Sequence, residues 1–246
     1  MFTSKPTLET TLNHRSIRKF TAQPIAPELL DTLIQAGQMA SSSNFLQNVS
    51  IIRVTDLAKR AQIRTICMGG GKGGHAYVEA CAELLIFCAD VSRHLQLAPE
   101  AQIDWIEVLL MGAVDVGIFA QNVLLTAESL GLGGVFLGSI RNDMAQVAQI
   151  LTLPRGVVPI VGMSLGYPDQ EPMQRPRLPA RMIVSENAFQ AANTDDLNAY
   201  NQMVADYYRE RSQLDLDWAK QISGALCREV RPDVLAFLQQ QGFAKR

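Results

Sequence analysis

The chain has 246 residues, 48% of them apolar and 19% charged, an ordinary globular composition with enough length for a sizeable core. Its net charge of −2 gives no electrostatic reason to expect a nucleic-acid partner, which normally calls for a basic patch. Four cysteines with no Cys-x-x-Cys pair and three scattered histidines argue against a structural metal site and fit free thiols in the cytoplasm.

Residues 1–9 carry no apolar h-region, so no secretory leader is expected. Residues 7–13 predict a short helix, and 27–39 a second one, with Pro27 suited to the first turn. The serine run at 41–44 breaks that helix. Residues 49–55 have strand character, and Asp56 can cap a helix over 57–67. A glycine loop spans 69–74. The apolar run 84–89 predicts a buried strand.

Residues 106–130 are nearly all apolar and long enough to span a membrane. Asp115 interrupts them, at a cost of about 3 kcal/mol in a bilayer centre, and Gln121 and Asn122 follow. The expectation is a soluble protein with a long helix buried on most faces. Such a helix fits either a homodimer interface or the core of a monomer.

A short strand is expected at 135–137, a helix at 143–151 and a valine-rich strand at 157–165. A proline-dense arm follows over 168–179. Thr194 is the expected cap of a helix reaching about Tyr208, and another helix follows Pro232. This alternation leaves α/β and α+β open.

His14, Arg15, Ser16 and Arg18 are the leading site candidates. Arginine forks suit a phosphate dianion, and on one helical turn His14, Arg15 and Arg18 converge. The competing reading is a solvated basic turn. The glycine loop matches G-x-G-x-x-G literally, but a helix precedes it, so a mobile surface loop is preferred to a dinucleotide fold. Arg175 and Arg177 sit in the proline arm, and Arg209 and Arg211 suit a helix C-terminus. No Ser-His-Asp or Gly-x-Ser-x-Gly arrangement is present, and no catalytic acid–base residue is assigned.

The ordered stretches HRSIR at 14–18, SSSNFLQ at 41–47, FCAD at 87–90, AESLGLGG at 127–134, RPRLP at 175–179 and the tail from Arg231-Pro232 to Gly242-Phe243 resemble the FMN-dependent NADPH nitroreductases and flavin reductases, of the larger oxygen-insensitive type. The resemblance implies an α+β nitroreductase-like fold with a mainly antiparallel sheet between helices. It implies one domain over 1–246, whose extension from about 168 wraps the core, in an intertwined homodimer.

It also implies that His14, Arg15, Ser16 and Arg18 hold the FMN phosphate and ribityl chain, with Arg175 and Arg177 as the second pair of cations. Ser42 and Asn44 would line the flavin from the other subunit, and Phe136, Leu137, Gly138 and Ser139 would pass along its ring with backbone contacts. His75 stands near the place of a flavin-contacting glutamine. Arg211, assisted by Arg141, would bind NADPH, and Phe45 would wall the substrate pocket. The implied activity is ping-pong, two-electron reduction of nitroaromatics and quinones by NADPH. The alternatives are reduction of free flavin and non-catalytic flavin binding.

Overall fold

The computed structural model describes residues 6–69, 71 and 73–246, so Gly70 and Lys72 of the glycine loop lie outside the described residues. The chain divides into two compact units. One takes in the chain up to Pro172 together with Arg231–Arg246; the other is Met173–Val230.

The first unit is built on four strands: β1 (Val49–Arg53), β2 (Glu83–Asp90), β3 (Gly133–Leu137) and β4 (Val157–Gly166). They lie in the order β1-β2-β4-β3, every pair antiparallel, which resolves the class as α+β. The register pairs Ile52 with Ile86 and Leu85 with Met163, and a bulge falls between Phe87 and Cys88. Every residue of β2 is buried, so both faces of the strand are covered.

Its side chains sort with period two. Leu85, Phe87 and Ala89 join one apolar cluster with Val116, Ala120 and Val123, whereas Leu84, Ile86 and Cys88 join another with Ile63 and Ile66. The first cluster is covered by α2 (Pro27–Gln38) and α6 (Ile106–Ser129), the second by α3 (Leu57–Met68). Pro27 opens α2 as expected, and the Asp56 carboxylate caps α3 by accepting from the N–H groups of Ala58 and Lys59.

Shorter helices complete this unit: α1 (Pro6–Leu12), α4 (Tyr77–Ala80), α5 (Ser92–Leu97) and α7 (Met144–Leu151). α10 (Val234–Gln241) also belongs here and brings Phe237 and Leu238 to the first cluster.

The second unit holds α8 (Thr194–Ser212) and α9 (Trp218–Leu226), joined by a cluster of Tyr200, Val204, Tyr207 and Tyr208 with Leu216 and Trp218. The cap of α8 is Asn193, whose side chain accepts from Asp195 N–H, and not Thr194. The helix runs to Ser212, a turn past Tyr208, and Arg209 and Arg211 lie in its last turn, as expected for a helix C-terminus.

α6 is the one helix among the described residues long and apolar enough to cross a membrane by length and composition. Gly112, Asp115, Val116, Ala120 and Val123 are buried, while Ile106, Leu110, Val114 and Ile118 form an exposed stripe at four-residue spacing.

Asp90 closes β2 with a polar knot. It accepts from the Ser50 hydroxyl, from Ser92 Oγ at 2.6 Å and from Ser92 N–H at 2.8 Å, with Arg93 at 3.6 Å. Burial pushes the Asp90 carboxyl up, but these donors and the Arg93 charge outweigh it and hold the group below its ordinary value. A carboxylate depressed in this way stabilises the fold above its unfolded-state value, and the contribution is lost as pH falls through the folded-state value. Asp90→Asn therefore costs about 1–3 kcal/mol at neutral pH and much less at an acid pH beneath the folded-state value. Urea unfolding at both pH values checks this, and an equal loss at each would contradict it.

Candidate functional site

The segment after α1 does not form the helical turn that the spacing of His14, Arg15 and Arg18 suggests. Ile17 decides its course. It is buried against Gly133, where a Cβ would come within 2.5 Å of Ile17 Cγ1, and its N–H donates to the Gly134 carbonyl at 2.9 Å. This tertiary anchor overrides local spacing, and the flanking side chains find different neighbours.

His14 Nδ1 lies 2.6 Å from Glu128 Oε1, near the end of α6. Arg15 places a terminal nitrogen 3.7 Å from Glu171, while its Nε–H is buried with no partner among the described residues. Arg15, Asn13, Glu128, Gly133 and Gln170 border a cavity of about 240 Å³. Ser16 is half-buried between these groups and Arg18.

Arg18 meets a second cluster. Burial lowers the His75 pKa, and the charges of Arg18 and Arg64 lower it further, so His75 is neutral at neutral pH. Burial raises the Tyr77 hydroxyl, which Arg18 opposes by its charge and a hydrogen bond. The His75 and Tyr77 rings stand 5.4 Å apart. Cys67, at the end of α3, lies in the electrostatic reach of Tyr77, and Ser139 is near enough to oppose the burial that raises its thiol. The structure thus links Arg18, His75 and Ser139 through Tyr77 and Cys67. Sequence reasoning missed Tyr77, although it stands two residues after His75.

Phe136 is partly exposed on β3, whereas Leu137 is buried and offers its backbone alone. At Gly138 a Cβ would lie 3.3 Å from the Arg141 guanidinium. Arg141 donates to the Ile160 carbonyl at 2.6 Å, and burial, then the like charge of Arg231, lowers its pKa. The thiols of Cys67, Cys81 and Cys88 are all raised by burial, Cys88 to about 12, so none is a thiolate nucleophile at neutral pH.

The serine loop has its own anchor in Asp115. Ser42 Oγ donates to Asp115 at 3.0 Å, and Ser43 donates through both its N–H and its hydroxyl at 3.1 Å. Ser42 Oγ also accepts from Gln47 N–H at 2.7 Å, so this hydroxyl is engaged on both sides. Asn44, Phe45 and Gln47 have φ of 51°, 59° and 50°, a left-handed conformation that costs roughly 1–2 kcal/mol per non-glycine residue. Phe45 is 81% exposed. A separate cavity of about 470 Å³ is bordered by Ser42, Leu46, His94, Asp115 and Phe119.

In the second unit, Arg175 donates to the Tyr208 hydroxyl and lies over its ring, 5.6 Å from the centroid. Arg177 donates to the Arg175 carbonyl at 3.0 Å. Arg209 is tied to Asp206 at 2.7 Å in an exposed pair. Arg211 lies 5.8 Å from the Tyr207 ring centroid and has no ion pair among the described residues.

The chain matches the Nitroreductase family over residues 11–83 and 82–167, and the C-terminal domain of that family over 175–246. It is 50% identical over 242 residues to an NADPH-flavin oxidoreductase of Vibrio harveyi, covering 98% of this chain and 99% of the relative. It is 43% identical over 243 residues to an oxygen-insensitive NADPH nitroreductase of Salmonella typhimurium, with the same two coverages. The solved structure of the Vibrio harveyi NADPH:FMN oxidoreductase complexed with NAD+ superposes with a TM-score of 0.91 at 49% identity, covering 98% of this chain and 100% of that one. The antiparallel α+β sheet, the serine loop tied to α6 and these full-length similarities lead to one assignment: the chain belongs to the nitroreductase family.

Proposed function

We propose that this chain is an NADPH-dependent FMN oxidoreductase that reduces small aromatic oxidants, nitroaromatics and quinones among them. The observation that carries this reading is the buried Arg15 Nε–H, which has no partner among the described residues, beside a segment that also presents His14, Ser16 and Arg18. An unpaired buried donor is costly unless something accepts from it. A flavin phosphate dianion is such an acceptor, and charge-assisted bonds to guanidinium are strong. The relatives named for NADPH and flavin agree with this.

When bound, FMN supplies the chemistry, taking two electrons from NADPH and passing them to an oxidant. The chain's own residues bind and orient. Arg15 and Arg18 offer cationic donors to the phosphate. His14 directs Nδ1 at Glu128, which leaves Nε2 to face a ligand. Neutral His75 can donate or accept a hydrogen bond without bringing a second charge beside Arg18. Phe136, Leu137, Gly138 and Ser139 provide a strand end along which a flat ring can lie, and Asn44 adds an amide from the serine loop. The second unit has its own cations, Arg175, Arg177 and Arg211, of the kind that bind the phosphates of FMN and NADPH.

The exposed stripe Ile106, Leu110, Val114 and Ile118 supports a homodimer that buries it, since an apolar row of this length is a poor solvent face. The working compartment is the cytoplasm, with no membrane or nucleic-acid partner.

Steady-state oxidation of NADPH with a quinone, a nitrofuran and free FMN tests the reading. Parallel double-reciprocal lines are expected; flavin binding without NADPH turnover would overturn it. The 50% identity to an NADPH-flavin oxidoreductase favours a second reading, free flavin as the main acceptor, which the same panel separates by kcat/KM.

A further inference from the structure

Asp115 is the one acidic residue in the interior of α6, 3% exposed, among apolar neighbours on a 24-residue helix. A buried carboxylate persists only where donors satisfy it. Among the described residues its donors all come from one loop, 72 or 73 residues earlier in the chain: Ser42 Oγ, Ser43 N–H and Ser43 Oγ. Ser42 Oγ then receives Gln47 N–H, so both ends of the segment 42–47 hang from a single carboxylate. Between them, Asn44 and Phe45 adopt left-handed φ values, and Phe45 projects into solvent. Such a conformation persists only when its surroundings over-determine it, and strain of this kind concentrates at ligand clamps.

We propose that Asp115 is a positioning residue for electron-acceptor specificity: it fixes the 42–47 loop so that the exposed Phe45 ring is preset as a wall for flat aromatic oxidants. This rests on the oxidoreductase reading above. A preset aromatic face lowers the ordering cost of binding a flat acceptor, so in the FMN-saturated protein the effect falls on acceptor binding far more than on reduction by NADPH. A carboxylate suits this site better than an amide. Ser43 N–H lies 3.1 Å from both Asp115 oxygens, so an amide here would set an NH2 group against an N–H donor.

The test is Asp115→Asn in the FMN-saturated protein, with Ser43→Ala as a milder variant that removes one anchor bond. The expected result is an acceptor KM for 1,4-benzoquinone and a nitrofuran raised about tenfold or more, with anaerobic reduction by NADPH changed less than about twofold. Phe45→Ala should raise the same KM alone yet add little on top of Asp115→Asn, because both remove the same wall. Unchanged acceptor KM, or fully additive effects, overturns the proposal. If Asp115→Asn does not fold, the cycle of Ser43→Ala with Phe45→Ala is judged by the same criteria. Chymotrypsin cleavage after Phe45 reads the anchor without activity, and about tenfold faster cleavage in the variant is expected. Wild-type protein that oxidises no NADPH, yet shows this cleavage difference, would sink the oxidoreductase reading and the specificity role while leaving the anchor. An unchanged cleavage rate would remove the anchor itself.

Discussion

Arg18→Ala should weaken FMN binding by roughly 10- to 100-fold, as measured by quenching of flavin fluorescence on titration into apoprotein. A charged hydrogen bond contributes about 1.5–3 kcal/mol, which corresponds to that range. Arg18 has the strongest electrostatic connection to the rest of the site: its charge reaches both His75 and Tyr77. Removing it therefore has a second, ligand-free signature. Burial and the Arg18 and Arg64 charges all depress His75, so loss of Arg18 must raise the His75 pKa, an effect visible by NMR titration of the apoprotein. Arg18→Lys should keep part of the His75 effect, since the charge stays, but lose more of the FMN affinity, since the planar fork goes. An Arg18→Ala protein with wild-type FMN affinity would remove this residue from the phosphate site.

Arg211→Ala should raise KM for NADPH by about 50-fold and leave KM for NADH within about twofold, because the two donors differ by a single phosphate that a free guanidinium can bind. Its neighbour supplies the control. Arg209 is already paired with Asp206 in an exposed contact, so Arg209→Ala should change either KM little. Arg211 lies beside the Tyr207 ring with its charge unpaired among the described residues. Equal losses for NADPH and NADH would show that Arg211 supports the fold of α8 and does not read the phosphate.

Local chemistry made several elements legible. Pro27 and Asp56 mark the starts of α2 and α3, and the apolar runs at 84–89 and 157–165 mark the central strands. Pairing was not legible. A helix-length connection can return a strand parallel or antiparallel, so the alternation of helices and strands could not select β1-β2-β4-β3. The family resemblance supplied the antiparallel sheet. α9 escaped notice because Gly224 and Ser223 weaken its helical pattern.

The site was legible as composition and not as geometry. His14, Arg15 and Arg18 stand out as donors, but helical spacing mispredicts their arrangement, because Ile17 is pinned to β3. Glu128, Tyr77 and Asp115 act on residues that are distant in sequence or ordinary in context, and no local pattern carries that information. Asp115 did leave one trace, a charge in the middle of an apolar helix, whose partners only the fold identifies.

The most direct test of the central claim is the absorption spectrum of the purified protein before and after NADPH under nitrogen. A yellow protein, or one that turns yellow with added FMN, whose flavin band bleaches on addition of NADPH is the predicted result. Protein that stays colourless after reconstitution, or bound flavin that NADPH leaves oxidised, would contradict the account.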